Sequence, residues 1–313
     1  MIAIVAPGQG AQAPGMLTPW LELPGARERV GHAGDLIGLD LLRLGTEGTA
    51  EEITDTAVTQ PLLAVTALLA AGELDLLHGR PEGDAEVLVA GHSIGELPAA
   101  VVAGALTSED ALVFAARRGK AMAAACATAP SSMAAVLGGD ADDVVAAIEK
   151  AGAVAANRNG AGQIVAAGSK ESIEALVADP PPGARVRPLA VAGAFHSEFM
   201  APAEASLRTW VDTGELVVTN PRRTLLSNAD GQAVAEGNDL VRRLVGQVTR
   251  PVRWDLCMET MTARGVTTLI ELAPGGTLTG LAKRAMKGVE LVAVKSPADL
   301  DAARSALTAG SSS

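Results

Sequence analysis

The chain has 313 residues, of which 48% are hydrophobic and only 2% aromatic, and its formal net charge is −11. This length allows one large domain and a smaller one, and Ala, Val and Leu must form most of the core. The negative charge argues against a nucleic-acid-binding protein, because phosphates require a basic surface.

The first part of the chain alternates predicted strands with predicted helices. Strands are expected at Ile2 to Ala6 and Glu86 to Ala90, and helices at about Gln60 to Leu77, Ile94 to Ala105 and Ser108 to Ala127. Strands and helices in alternation predict a parallel sheet with helices on both faces.

A different order of elements follows. From Ser131 to Val191 the sequence predicts strand, helix, strand, strand, helix, strand, which is the order of a ferredoxin-like α+β unit. We therefore expect residues 129–193 to form a small ferredoxin-like subdomain, inserted into a large α/β domain of residues 1–128 and 194–313. One more strand, a Gly-rich turn and a helix in "VTTLIELAPGGTLTGLAKR" belong to the large domain.

The sequence also gives expectations about compartment and metals. No apolar run reaches the length of a membrane span, and the N-terminus lacks the basic region of a signal peptide, so we expect a cytoplasmic protein. Cys126 and Cys257 lie far apart in predicted helices, outside any Cys/His pattern of metal ligands. We expect them to be free thiols, and we expect no metal site.

The opening segment "MIAIVAPGQGAQAPGM" leads from a strand into a Gly-rich loop that has the spacing of a dinucleotide-binding fingerprint. That fingerprint needs a helix directly after the loop and an acidic residue about 20 positions on. Pro14 and Gly15 interrupt the expected helix, and the following "GARERVGHAGDL" is not typical of a strand. Nucleotide binding is therefore the weaker interpretation of this loop.

The stretch "VLVAGHSIGELPAA" places Gly91, Ser93 and Gly95 in a G-x-S-x-G pattern between a strand and a helix. This pattern is typical of a nucleophile elbow, whose glycines permit the tight turn that exposes the serine. The helix start supplies N–H groups and a partial positive charge for an oxyanion. The alternative is a turn in which Ser93 only caps the helix. We predict an α/β-hydrolase-like large domain with Ser93 as nucleophile.

A serine nucleophile needs a base, and the chain has four histidines. His32 and His78 lie in polar, loop-like segments and are expected to be solvated. His92 adjoins the serine but is expected to point away from it. His196 follows the last strand of the small unit, which makes it the candidate base, with a packed or capping histidine as the alternative. The residues around His196 include no obvious Asp or Glu that would orient it, so the sequence does not indicate a complete Ser-His-Asp triad.

Helix geometry distinguishes Arg118 from its neighbour Arg117. Positions three and four residues from Arg118 are apolar, whereas Arg117 shares its face with Asp110 and Lys120. Arg118 is therefore predicted to face the interior. A buried guanidinium needs a carboxylate, which its planar fork binds through two hydrogen bonds. That carboxylate belongs either to a substrate or to a structural salt bridge.

The segments "PGQGAQ", "GHSIGE", "ARRGKAM", "NGAGQIVAAG", "AFHSEFM" and "ELAPGGTLTGL" occur in this order across nearly the whole chain. In these segments the chain resembles the malonyl-CoA:acyl carrier protein transacylases and the related acyltransferase domains of fatty acid and polyketide synthases. The resemblance implies ping-pong transfer of a malonyl group from malonyl-CoA, through an ester on Ser93, to the phosphopantetheine thiol of an acyl carrier protein. It implies no cofactor held by the enzyme itself.

The resemblance also implies a role for each matching residue. Ser93 would be acylated, His196 would act as general base and acid, and Arg118 would pair with the free malonyl carboxylate. The backbone N–H groups of Gln9 and Ile94 would form the oxyanion hole. The opening loop would then bind a thioester oxyanion rather than a phosphate.

Three further residues are assigned in the same way. Gln247 matches the glutamine whose main-chain carbonyl orients the histidine, which would account for the missing acid. Phe195 lies in "GAFHS" and would crowd a methyl group on the substrate. Asn159 is a substrate-binding candidate, although "NRNGAGQ" departs from the family's usual text before the glycines.

Two other functions compete with this one. A patatin-type serine hydrolase also combines G-x-S-x-G with a Gly-rich oxyanion loop, but it uses a catalytic aspartate and has no need of a buried arginine. A non-catalytic scaffold for acyl carriers is the other alternative, and the presence of Ser93, His196 and Arg118 argues against it.

The carrier partner is usually acidic in this family, so basic clusters are candidate docking surfaces on this acidic chain. We expect a monomer with no nucleic-acid or membrane partner. The clusters are Arg222 with Arg223, Arg242 with Arg243, Arg250 with Arg253, and Lys283 with Arg284 and Lys287.

Overall fold

The structure is a computed structural model, and it describes residues 1–77 and 87–309. The described strands form two sheets, one in the large unit and one in the small unit. In chain order they are β1 (Ile2–Ala6), β2 (Val87–Gly91), β3 (Ser131–Gly138), β4 (Val154–Gly160), β5 (Gln163–Ser169), β6 (Ala184–Pro188), β7 (Thr224–Leu226), β8 (Ala233–Val234), β9 (Val252–Arg253), β10 (Thr268–Glu271) and β11 (Glu290–Ala293).

Helices cover both sheets. In chain order the described α-helices are α1 (Ala26–Ile37), α2 (Leu41–Glu47), α3 (Thr56–Glu73), α4 (Glu96–Val102), α5 (Ser108–Cys126), α6 (Ala141–Lys150), α7 (Lys170–Ala178), α8 (Ala201–Val211), α9 (Gly237–Gly246), α10 (Trp254–Ala263), α11 (Thr277–Ala285) and α12 (Leu300–Ala309).

The larger sheet has the strand order β11-β10-β1-β2-β7-β8, and all its neighbours are parallel except β7 and β8. Successive side chains of a strand point to opposite faces. Ile2 and Ile4 accordingly join the core cluster that includes α3, α4 and α5, whereas Ala3 and Val5 join the cluster that includes α10 and α11. Helices therefore cover both faces of this sheet, as the alternating elements predicted.

The smaller sheet has the strand order β6-β3-β5-β4-β9. Its first four strands and the helices α6 and α7 follow the predicted order of strand, helix, strand, strand, helix, strand. The fifth strand, β9, was not predicted. It comes from the returning chain and pairs in parallel with β4 through Val252 and Arg253. The sheet thus extends beyond residues 129–193.

Several predicted boundaries differ from the observed ones. α3 begins at Thr56 rather than Gln60, because Asp55 caps it by accepting from the Ala57 N–H. The predicted helix from Ile94 is split into one 3₁₀ turn, Ser93–Gly95, and α4. His32 lies in α1 rather than in a loop, although its side chain is exposed as expected. Glu86 and His78 lie outside the described residues.

The structural findings on cysteines, metals and membrane spans apply to the described residues. Cys126 and Cys257 are free thiols, and burial raises the pKa of Cys126 to about 11 and that of Cys257 further. Within residues 1–77 and 87–309, no helix is long and apolar enough to cross a membrane. The same residues contain no group of His, Cys, Asp and Glu suited to a metal ion.

Candidate active site

Ser93 lies in a tight turn directly after β2. Its φ is +53°, a left-handed conformation that is uncommon for residues other than glycine. The flanking glycines permit the turn because they have no side chain. A Cβ on Gly91 would lie 2.0 Å from the carbonyl carbon of Gly95, and one on Gly95 would lie 2.2 Å from the Ala6 oxygen. This geometry is that of the nucleophile elbow that the sequence predicted.

His196 is placed to accept the proton of Ser93. The Ser93 Oγ and His196 Nε2 atoms are 2.8 Å apart, and His196 Nδ1 lies 2.8 Å from the main-chain oxygen of Gln247. A carbonyl oxygen can only accept, so Nδ1 carries the proton and Nε2 is free to act as a base. Burial and the charge of Arg118 lower the pKa of His196 to about 3, which keeps the imidazole neutral.

Arg118 faces the interior, as helix geometry predicted, and is only 2% exposed, whereas the side chain of Arg117 is half exposed. The Nη2 atom of Arg118 donates to Ser93 Oγ at 3.2 Å. Among the described residues, no carboxylate lies within salt-bridge distance of Arg118. These residues thus do not form the protein salt bridge that was the alternative interpretation of Arg118.

Amide oxygens are the other partners of Arg118. Nη1 donates to Oε1 of Gln60 at 2.8 Å, and Nη2 donates to Oε1 of Gln247 at 2.9 Å. Burial lowers the pKa of Arg118 to about 10, which still leaves the guanidinium charged at neutral pH. The site therefore contains a buried positive charge that is solvated by amides and can accept an anionic group.

Two candidates for the oxyanion hole, Gln9 and Ile94, line the same cleft as Ser93. The opening loop packs closely against the elbow, because a Cβ on Gly8 would lie 2.8 Å from Nδ1 of His92. The side chain of Gln9 donates to Thr56 Oγ1 at 3.4 Å. The loop that resembled a dinucleotide fingerprint thus lies beside Ser93.

His92 points away from Ser93, as expected, and connects the two units of the chain. Its Nε2 lies 2.8 Å from Oδ1 of Asn159 in β4, and its ring packs against that of Trp254 at 5.8 Å between centroids. Phe195 is buried and lines the cleft next to His196. Asn159 and Phe195 therefore both lie at the site.

The cleft has a volume of about 350 Å³. The opening loop, the elbow and α11 line it, together with β4, β5 and the segment after β6. Its polar lining includes Gln9, Ser93, Arg118, Asn159 and His196. A cavity of this size is suited to a small-molecule group.

Three polar residues of the site were not assigned a role from the sequence, namely Gln60, Glu96 and Asn228. Each interrupts an otherwise apolar or turn-forming segment, and Glu96 ends the quoted "GHSIGE". Asn228 Oδ1 accepts from the Ser93 N–H at 2.8 Å, and its Nδ2 donates to the Gly91 oxygen at 2.8 Å. A polar side chain within an apolar helix face was the signal that could have identified Gln60 and Glu96.

The basic clusters differ in how many of their side chains have acidic or main-chain partners within the protein. Arg223 bonds to main-chain oxygens, Arg242 and Arg243 pair with Asp239, and Arg253 pairs with Asp255. The remaining cluster lies on and just after α11, the helix whose first half lines the cleft. Its exposed members are Lys283, Arg284 and Lys287.

Comparison with known proteins agrees with this geometry. Residues 4–303 match the model of the acyl transferase domain family. The chain is 51% identical over 304 residues to the malonyl CoA-acyl carrier protein transacylase of Mycobacterium tuberculosis H37Rv, covering 96% of this chain and 98% of that protein.

Solved structures give the same result. A crystal structure of MCAT from Mycobacterium tuberculosis superposes with a TM-score of 0.90, at 51% identity, over 96% of this chain and 98% of that one. A malonyl-transacylase in complex with its type II polyketide synthase acyl-carrier protein gives a TM-score of 0.87 at 31% identity, over 97% of this chain and 99% of that one. The chain therefore belongs to the acyl transferase domain family.

Proposed function

We propose that this chain transfers the malonyl group of malonyl-CoA to the phosphopantetheine thiol of an acyl carrier protein. The observation that carries the proposal is that Ser93 Oγ lies 2.8 Å from a neutral histidine and 3.2 Å from a buried arginine. The first contact makes the serine a nucleophile, and the second places a fixed positive charge within reach of a short acidic acyl group.

The first half-reaction forms the acyl-enzyme. His196 Nε2 takes the proton of Ser93 as Oγ attacks the thioester carbonyl carbon. The backbone N–H groups of Gln9 and Ile94 donate to the oxyanion of the tetrahedral intermediate. When the intermediate collapses, the carbon–sulfur bond breaks, and His196 returns the proton to the departing sulfur of coenzyme A.

The second half-reaction runs the same steps in reverse. His196 takes the proton of the carrier's phosphopantetheine thiol, and the sulfur attacks the malonyl-Ser93 ester. The oxyanion forms again in the same place, and Ser93 leaves with the proton from His196. An imidazole that is neutral at the start of each half-reaction can take a proton and return it within that half-reaction.

Arg118 selects the acyl group in this mechanism. The carboxylate of malonyl is separated from the ester carbonyl by one methylene, so it lies close to Oγ and within reach of the guanidinium. An unbranched acyl group without a carboxylate leaves this buried charge unpaired. Phe195 limits the space beside the same methylene, and Asn159 contributes a polar contact in the same cleft.

The proposed function also suggests a domain organisation and a surface that binds the carrier. We infer an α/β-hydrolase-like domain of residues 1–128 and 194–313, with a ferredoxin-like subdomain of residues 129–193 to which β9 adds a strand. The cluster of Lys283, Arg284 and Lys287 is the best-placed docking surface for an acidic carrier, because its helix reaches the cleft. The cytoplasmic location and the monomeric state stay predictions from the sequence.

Intact-protein mass spectrometry after incubation with malonyl-CoA tests the proposal. We expect a mass gain of one malonyl group, located on the peptide that contains Ser93, and its loss when a carrier with a phosphopantetheine thiol is added. Ser93→Ala is expected to remain unlabelled. Release of free malonate without transfer would indicate a hydrolase, and no mass gain on the wild-type protein would indicate a non-catalytic scaffold.

A further inference from the structure

Glu96 is a buried carboxylate at the start of α4 that the proposed reaction does not use. It is 3% exposed and lies three residues after Ser93. Its Oε1 accepts from the backbone N–H of Asn228 at 2.6 Å, and its Oε2 accepts from Nε2 of Gln247 at 2.5 Å. Both oxygens of the carboxylate therefore bind residues that in turn contact the reacting groups.

Each of these two partners has several contacts in the site. Asn228 accepts from the Ser93 N–H and donates to the oxygen of Gly91, so it joins the two sides of the elbow. Gln247 accepts from Arg118 through Oε1, while its main-chain oxygen accepts from His196. Ser93 is thus connected to this carboxylate through Asn228, Arg118 through the side chain of Gln247, and His196 through the main chain of Gln247.

An ionised carboxylate determines the orientation of the Gln247 amide. Because both oxygens of Glu96 can only accept, the NH₂ group of Gln247 must face Glu96 and its oxygen must face Arg118. A neutral group in place of the carboxylate can itself donate, and the amide could then turn round. Its NH₂ group would face the guanidinium, and Arg118 would lose an acceptor.

We propose that Glu96 is a positioning residue for acyl transfer, which holds Asn228 and Gln247 in the orientation that His196, Arg118 and Ser93 require. This inference rests on the proposed function of the site. It assigns Glu96 no contact with the substrate.

The charge state of Glu96 gives the inference a measurable signature. Burial raises the pKa of Glu96 to about 7, and this shift is opposed first by the hydrogen bond from the Asn228 N–H, then by the charge of Arg118 from α5, a hydrogen bond from Ser227 and the charge of Arg243 from α9. Cys257 from α10 also faces the carboxylate, and its thiol stays neutral because its pKa is raised. Protonation of Glu96 turns one oxygen into a donor, so acylation should slow as the pH falls through about 7. His196 cannot cause this change, because its own pKa is about 3.

The test measures single-turnover release of coenzyme A from malonyl-CoA between pH 5 and 9, which follows acylation alone and does not involve the carrier thiol. We expect Glu96→Gln to acylate about 10- to 100-fold more slowly than the wild type at pH 8, without the loss of rate near pH 7. Glu96→Asp keeps both acceptor oxygens on a shorter side chain, so we expect a lower rate that still falls with acid.

Ile148→Val is the control for a general loss of stability. Ile148 is fully buried in α6 and does not line the cleft, and the substitution removes one methyl group from the core of the small unit. We expect it to leave both the acylation rate and its pH dependence unchanged.

Either of two results would overturn the inference. One is a Glu96→Gln protein that acylates at the wild-type rate, and the other is a Glu96→Gln protein that keeps the loss of rate near pH 7. If Glu96→Gln does not fold, a folded Glu96→Asp with the wild-type rate would overturn the inference as well. A wild-type protein that malonyl-CoA does not acylate would instead count against the proposed function.

Discussion

His196 Nδ1 lies 2.8 Å from the main-chain oxygen of Gln247, so a carbonyl orients the imidazole where a triad would use a carboxylate. A carbonyl has no full charge, and it fixes the tautomer without raising the basicity of the ring as strongly as an anion does. The imidazole is therefore neutral before the reaction, and the hydrogen bond to the carbonyl mainly fixes its orientation. This arrangement explains why the sequence around His196 indicates no Asp or Glu that would complete a triad.

We expect His196→Ala to slow acylation of Ser93 by about 100- to 10,000-fold, because the serine loses its general base. Rapid-quench measurement of coenzyme A release from malonyl-CoA gives the rate. His32→Ala is the matched control, since His32 is exposed on α1, and it should acylate normally. A His196→Ala protein with near-normal acylation would show that another group accepts the proton.

The low pKa of His196 should also appear in the pH dependence of stability. The unfolded histidine binds a proton below about pH 6.5, but the folded one does so only near pH 3. The contribution of His196 to stability is therefore present above pH 6.5 and is lost as the pH falls toward 3.

Urea unfolding at pH 7.5 and pH 5 measures this contribution. The free energy of unfolding should fall more between these two pH values in the wild type than in His196→Gln, which cannot titrate. An equal fall in both proteins would show that His196 is protonated to the same extent in the folded and unfolded chains.

Patterns that depend on local sequence predicted the elements around the elbow and the order of elements in the small unit. β1 and α5 were predicted almost to the residue, because an apolar run and a 3.6-residue period are strong local signals. The burial of Arg118 could be predicted for the same reason. The strand β9 could not, since two residues with no alternation become a strand only by pairing with β4.

Local sequence patterns could not predict which polar side chains meet inside the site. Gln60, Glu96 and Asn228 acquire their roles from contacts between elements more than 50 residues apart, such as the hydrogen bond from Arg118 to Gln60. The side chain of Gln247 is a further example, because only its main-chain oxygen was assigned from the resemblance. Periodicity identifies a buried position, but it does not indicate which polar groups meet there.

Phe195 provides a test of how the site excludes branched substrates. Its buried ring lines the cleft beside His196, so a methyl group on the malonyl methylene would compete with it for space. We expect the wild type to prefer malonyl-CoA over methylmalonyl-CoA by about 10-fold or more, and Phe195→Ser to reduce that preference.

The measurement for Phe195 is kcat/KM for the two thioesters in competition. Phe199→Ser is the control, because Phe199 packs on the core near α8 without lining the cleft, and its ratio should equal that of the wild type. If Phe195→Ser kept the wild-type ratio, other residues would have to exclude the methyl group.

Arg118 provides the sharpest test, because its charge is buried and no protein carboxylate of the described residues lies within salt-bridge distance. Binding of an acetyl group leaves the guanidinium with uncharged partners only, whereas malonyl supplies a carboxylate in the plane of the fork. With a difference of about 3 kcal/mol between the two, the wild type should favour malonyl-CoA over acetyl-CoA by about 100-fold or more. Arg118→Ala should lose most malonyl transfer while acetyl transfer is kept or increased.

Two further variants separate the charge of Arg118 from its geometry and its packing. Arg118→Lys keeps a positive charge but not the fork, so it should restore little malonyl transfer. Arg117→Ala removes the neighbouring guanidinium, which pairs with Glu215 at the surface, and should leave the ratio of kcat/KM for malonyl-CoA and acetyl-CoA unchanged. Equal losses of malonyl and acetyl transfer in Arg118→Ala would show that Arg118 supports the fold and does not bind the acyl carboxylate. A selective loss of malonyl transfer would show that the buried charge recognises it.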